Sequence, residues 1–202
     1  MSPRICRLVA TVAVISGLSA PVATAADTRT AIFAGGCFWC VEADFDKVDG
    51  VLETLSGYSG GHTENPTYKA VTYGNTGHYE VVRVAYDPDT VDYATLVDYF
   101  LRHVDPTDAG GQFCDRGDSY RTAIFVANDA EREAAEAAIA AAGDTIGAPI
   151  VTPVLEASAF TAAEDYHQDY YAKNPQRYNY YRFACGRDNR IEEVWSGGKT
   201  AS

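Results

Sequence analysis

Apolar and polar positions along this chain follow a period of two in some stretches and of three to four in others. The switches between them mark out its elements. Thr30-Ala31-Ile32-Phe33-Ala34 is a β-branched and apolar run of strand character that stops at Gly35-Gly36. Beyond the glycines, Val41, Phe45 and Val48 fall at helical spacing within residues 40–48. Residues 51–58 read as a strand ending in a Gly-rich loop. Asn65-Pro66-Thr67 opens a short helical turn carrying Tyr68, with Pro at the first position. Residues 78–86 alternate well enough for a strand, and Asp87-Pro88-Asp89 turns the chain. Leu96, Val97, Phe100, Leu101 and Val104 form one stripe of a helix over 93–104.

Residues 105–119 form a Gly- and Asp-rich loop of a length that is usually functional. A strand is predicted over 121–127. Asn128 then caps an Ala- and Glu-rich helix ending near Gly143, and a last strand covers 150–156. Thr161, with Glu164 at the capping-box position, predicts an aromatic helix through Tyr171. From Asn174 onward the pattern predicts an irregular tail. The order strand, helix, strand, strand, helix, strand matches the split βαβ arrangement. The expected fold class is α/β, an α+β sandwich with a ferredoxin-like βαββαβ core, extra helices and an irregular C-terminal tail. The length of 202 residues suits one domain with a real core.

The first 25 residues change the picture of where the chain works. Arg4 and Arg7 precede a short apolar segment over 8–18, and Ala23-Thr24-Ala25 offers a small-residue cleavage site. Residues 1–25 are therefore expected to be a secretory signal, and 26–202 the exported domain, periplasmic or secreted. Cys6 leaves with the signal, so Cys37, Cys40, Cys114 and Cys185 remain. In an oxidising compartment such thiols must be paired, catalytic or both. The loss of two arginines shifts the formal charge from −12 to −14. That balance argues against nucleic acid and anionic membrane as partners. The single Met is the initiator, which suits a protein exposed to oxidants.

The Gly-Gly turn places Cys37 at or beside a helix N-terminus, where free N–H groups favour a thiolate. A thiolate reaction needs an acid, and Glu80 lies on a strand among apolar neighbours, where burial raises a carboxyl pKa. His78 beside glycines and His167 beside Tyr166 read more simply as structural residues. The loop 113–120 mixes Cys114, two acids and Tyr120 and could line a pocket.

These residues resemble the A-type peptide methionine sulfoxide reductases over essentially the whole of 26–202. The resemblance rests on Gly36-Cys37-Phe38-Trp39, Asn65-Pro66-Thr67-Tyr68, Gly77-His78-Tyr79-Glu80 and Asp105-Pro106-Thr107. It continues through Asp115 with Gly117, Tyr120-Arg121 and Ala163-Glu164-Asp165-Tyr166-His167-Gln168. It implies that the Cys37 thiolate attacks the sulfoxide sulfur while Glu80 protonates the oxygen. Tyr68 and Tyr120 would hold that oxygen, Asp115 would organise the polar side, and Phe38 and Trp39 would hold the substrate methyl. The S epimer would be the substrate, free or in oxidised proteins, and no cofactor would be bound. Cys37 would become a sulfenic acid, then a disulfide reduced by an external thioredoxin-like dithiol. The chain is expected to act as a monomer.

One departure is Cys40, where many members carry Gly. The resolving cysteine is expected to be Cys185, on a mobile tail, with Cys40 next and Cys114 third. A rival reading is a thioredoxin-like oxidoreductase using Cys37 and Cys40. A second rival is a zinc-binding module on the four cysteines, for which the spacing is poor.

Overall fold

The computed structural model describes residues 27–196; the expected signal, residues 1–25, lies outside them. Its strands are β1 (Arg29–Gly35), β2 (Val51–Ser59), β3 (Tyr79–Tyr86), β4 (Gly111–Gln112), β5 (Asp115–Arg116), β6 (Thr122–Val126), β7 (Val154–Glu156) and β8 (Thr161–Ala162). Its helices are α1 (Phe38–Phe45), α2 (Tyr68–Tyr73), α3 (Tyr93–Arg102), α4 (Asp129–Ile146), α5 (Tyr170–Lys173), α6 (Pro175–Ala184) and α7 (Arg187–Trp195). A 3-10 turn spans Asp118–Tyr120.

One sheet runs in the order β7-β6-β1-β3-β2-β8, and β4 and β5 form a separate small ribbon. The inner four strands are antiparallel neighbours, with Phe33 opposite Val82 and Ile124, and Tyr58 opposite Glu80. With α1 and α3 as the crossovers, this is the α/β ferredoxin-like core, extended at one edge by the parallel strand β7. The main core lies under the helices. There Phe33, Val82, Val84 and Ile124 from the sheet meet Phe45, Leu96, Val97, Phe100 and Leu101. Phe33 stacks between Phe45 and Phe100, both at 5.0 Å. Because β3 sits between two strands with both faces covered, its side chains are buried nearly throughout.

Several elements differ from the sequence-based expectation. α1 starts at Phe38 and ends at Phe45, and Val48 closes the turn that follows it. The capping-box helix from Thr161 does not form. Thr161–Ala162 pairs instead with Tyr58 and Gly57 as the edge strand β8. A Cβ on Gly57 would lie 2.4 Å from the Phe160 ring, so only glycine lets this edge come in. The Glu164 carboxylate, freed from a capping role, accepts from Tyr58 Oη at 2.8 Å and from the Tyr68 N–H at 2.9 Å.

The expected irregular tail is helical. Pro175 occupies the first turn of α6, Gly186 at φ +66° turns the chain, and α7 follows. Ion pairs and buried contacts bolt this segment to the core. Arg182 meets Asp44 at 3.0 Å, Arg190 meets Asp105 at 2.7 Å, and Arg187 donates to the His103 carbonyl at 2.7 Å.

Candidate active site

The site is built around the turn from β1 into α1. Gly36 holds φ +79°, and a Cβ there would lie 2.5 Å from Gln112 Cβ, so no other residue fits. Cys37 follows as the N-cap of α1, in non-helical geometry and 7 % exposed. The next backbone N–H, that of Phe38, donates to Glu80 Oε2 at 3.1 Å. This bond ties the nucleophile's turn to the middle strand of the sheet and brings the acid to the cysteine.

Glu80 is 1 % exposed. Burial pushes its carboxyl up to about 8, against the pull of the Phe38 N–H, and the charges of Asp115 and Cys40 add to the rise. It is therefore a neutral proton donor at pH 7. Phe38 is buried against Tyr58, Tyr68 and His167. The Trp39 indole donates to His167 Nδ1 at 3.0 Å and stacks on Tyr170 at 3.7 Å. Tyr68 opens α2 behind the cap Thr67, and Tyr120 closes the 3-10 turn. Burial pushes the pKa of both phenols up, with the nearby Glu80 carboxyl adding to it, so both remain hydrogen-bond donors.

One pocket is lined by Cys37, Phe38, Trp39, Tyr68, Glu80, Asp115, Tyr120 and Tyr181. Every catalytic and substrate-binding residue singled out in the sequence lies in it. Tyr181 is the addition. It comes from α6, donates a hydrogen bond to Asp115 Oδ2, and meets Trp39 edge-on at 5.9 Å. The reading of an irregular tail from Asn174 passed it over; the signal that would have found it is Pro175 as a helix start, with Tyr178, Tyr181 and Cys185 at helical spacing. A roomier hollow at the α6–α7 corner, lined by Asn179, Arg182, Phe183 and Asp188, contains no nucleophile. His78 is structural. Its Nδ1 accepts from the Gly61 N–H and its Nε2 meets the Thr63 carbonyl.

The four cysteines form two separate pairs. Cys114 and Cys185 are joined in a disulfide, with Cα atoms 5.0 Å apart, while Cys37 and Cys40 are free thiols. Cys185 is thus not a free thiol on a mobile tail: it is the C-cap residue of α6, bonded to the loop that carries Asp115. This removes the premise for placing it first among resolving cysteines. Cys114, Asp115 and Cys185 are close enough to suggest a metal cluster, but two sulfurs bonded to each other are not thiolate ligands.

The two free thiols lie three residues apart at the start of α1, both buried, and each bears on the other's protonation. Burial pushes Cys37 well up, as do the hydrogen bond and charge of Cys40 and the charge of Glu80. Burial thus outweighs the helix terminus, contrary to the expectation that Cys37 holds its proton loosely in isolation.

The comparisons with known proteins agree with this geometry. The family model described as peptide methionine sulfoxide reductase matches residues 29–199. A peptide methionine sulfoxide reductase MsrA 2 of Rhizobium meliloti is 56 % identical over 173 residues, covering 86 % of each chain. The MsrA 2 of Caulobacter vibrioides is 49 % identical over 195 residues, covering 96 % of this chain and 99 % of its own. Mxr1 of Saccharomyces cerevisiae, solved in reduced form, superposes with a TM-score of 0.70 at 32 % identity, over 74 % of this chain and 87 % of that one. This chain belongs to the peptide methionine sulfoxide reductase family.

Proposed function

We infer that this protein reduces methionine sulfoxide, free and in oxidised proteins, to methionine. The observation that carries the reading is a buried, neutral Glu80 joined through the Phe38 N–H to the turn that presents Cys37. Cys37 Sγ bonds to the sulfoxide sulfur while Glu80 gives its proton to the oxygen. Tyr68 and Tyr120 donate to that oxygen as it gains charge. Phe38 and Trp39 take the methyl, and the Tyr181–Asp115 pair fixes the polar wall. Oxygen passes from the substrate sulfur to Cys37, leaving methionine and a sulfenic acid. The preference for the S epimer is supported by the family resemblance.

Cys40 is the resolving thiol in this reading. It attacks Cys37 Sγ, water leaves, and a Cys37–Cys40 disulfide forms. Because Cys37 is the N-cap and lies outside the regular helix, its side chain has more freedom than an interior residue would. A two-electron reductant must then reopen the bond, and a thioredoxin-like dithiol matches that chemistry by thiol exchange. The basic, apolar and small-residue order of residues 1–25 supports export. The Cys114–Cys185 disulfide suits an oxidising compartment. The thioredoxin-like rival gives no role to Glu80 or to the two phenols.

The test is an assay with methionine S-sulfoxide, free and in a peptide, using dithiothreitol. Methionine is expected from both. Absence of methionine from either form of the S epimer would overturn the reading.

A further inference from the structure

The ion cluster beneath α1 leaves one buried arginine, Arg187, without a close carboxylate. Asp44 is the one buried carboxylate there, and it serves Arg182 at 3.0 Å, Lys47 at 3.2 Å and Arg187 at 3.9 Å. The second partner of Arg182, Asp188, is a surface residue. Arg187 is 2 % exposed, and its Nε has no hydrogen-bond partner. Its other contacts are the neutral carbonyls of Gly35 and His103 and the face of the Phe113 ring. Two guanidiniums, one of them fully buried, thus share a single buried carboxylate. Asp188 completes the pairing of Arg182, whereas Arg187 has only Asp44 at 3.9 Å; a buried charge without a close partner is costly, so an anion is expected beside Arg187.

Cys40 stands one helical turn before Asp44 on the same face of α1 and is 2 % exposed. The titratable and charged groups facing it are Cys37 and Asp44 on α1, Glu80 on β3, Tyr178, Tyr181 and Arg182 on α6, and Arg187 on α7. The phenols are neutral and Glu80 is protonated at pH 7. Asp44 is committed to its cations. The field at Cys40 is therefore cationic.

We propose that Cys40 is the thiolate of the resting pair, stabilised by the positive charges of Arg187 and Arg182, and that it takes the proton of Cys37 as Cys37 attacks the sulfoxide. This rests on the reading of sulfoxide reduction given above. Cys37 lines the substrate pocket and Cys40 does not, so the thiolate cannot attack in its place. The hydrogen bond from Cys37 pulls Cys40 down to about 7 against its burial, with Arg187 and Arg182 adding to the fall.

The step balances. Cys37–SH, Cys40–S⁻ and protonated Glu80 become Cys37–SOH, Cys40–SH and ionised Glu80 as the sulfoxide becomes methionine. Cys40 then passes its proton through Glu80 to the hydroxide that its sulfur displaces from Cys37; water leaves, and Glu80, still ionised, regains its resting proton from solvent. Cys40 is thus the base of the first half-reaction and the nucleophile of the second. Arg187 and Arg182 are positioning residues that act through it.

The experiment measures methionine formed in one turnover of the reduced enzyme against pH, with free methionine S-sulfoxide and no added reductant. The parent rate should fall on the acid side with a midpoint near 7. In Cys40→Ala that acid limb should move upward by more than one pH unit, because Cys37 must then ionise unaided. Arg187→Met should move the limb upward in the parent and not in the Cys40→Ala background. A second measurement is independent of turnover. Thiolate absorbance of Cys6→Ser/Cys37→Ser, in which a hydroxyl donor replaces the thiol of Cys37 beside Cys40, purified with the Cys114–Cys185 bond intact, should show one thiol ionising near neutrality. An unmoved acid limb in Cys40→Ala, or no neutral-range thiolate in the second variant, overturns the proposal. Failure of the parent to form methionine overturns the underlying function instead.

Discussion

At the scale of single residues, the site divides its work between one sulfur and one carboxyl. Cys37→Ser should abolish methionine formation, whereas Cys114→Ser and Cys185→Ser should each retain a single turnover. Quantifying methionine without reductant checks this. Glu80→Gln removes the acid and should slow the chemical step by ~10²–10⁴-fold. The pH dependence has a definite sign. Glu80 holds its proton up to about 8, so parent turnover should decline as pH rises through that value. Glu80→Gln should lose that alkaline limb, and its deficit should shrink at lower pH as solvent supplies the proton. A glutamine variant as fast as the parent at neutral pH would make Glu80 a bystander.

At the scale of elements, α1 is docked by buried groups at both ends. At its base, Glu42 is fully buried. Its Oε2 accepts from the Asp169 N–H at 3.1 Å, and its Oε1 has no partner. Burial pushes this carboxyl up to about 7, partly offset by the Asp169 N–H. The folded state therefore holds a proton that the unfolded chain releases near its ordinary value of 4.5. Stability from this group is full below that value and is lost as pH rises to about 7. Urea midpoints should fall across this window in the parent, and the fall should be smaller in Glu42→Gln. Equal slopes would contradict the assignment.

The elements also show where sequence patterns suffice. The stripe of α3 and the Asn128 cap of α4 are local signals, and both elements are present. The strand at Thr161 and the helices α6 and α7 were not legible. β8 exists because Gly57 admits a neighbour, a long-range fact. α6 is polar and tyrosine-rich and α7 is polar and charged, so their packing rests on Arg182, Arg187 and Arg190 finding carboxylates and carbonyls far away in sequence. The same gap hid Tyr181. Cys37 and Glu80 were legible because glycine punctuation and strand alternation place them locally, whereas Phe38, Trp39, Tyr68, Asp115 and Tyr120 were assigned roles only through the family resemblance.

At the scale of the whole molecule, the C-terminal helices complete the site rather than trail from it. The Cys114–Cys185 bond joins positions 71 residues apart and links the Asp115 loop to the end of α6. Disulfides typically stabilise by about 2–4 kcal/mol, and the chain-entropy relation puts a loop of this length near the top of that range, at about 4 kcal/mol. Cys114→Ser should lose stability of that order in denaturant unfolding, while keeping Cys37 and Cys40 as its redox pair. An undiminished unfolding free energy would show that the helices are held by their ion pairs alone.

These scales meet in the fate of Cys37 after one oxygen transfer. The direct measurement is peptide mapping by mass spectrometry after one equivalent of methionine S-sulfoxide, without reductant. The account predicts one methionine per protein, a Cys37–Cys40 bridge, and a Cys114–Cys185 bridge left in place. A Cys37–Cys185 bridge, or a lasting sulfenic acid on Cys37 beside a free Cys40, would contradict it.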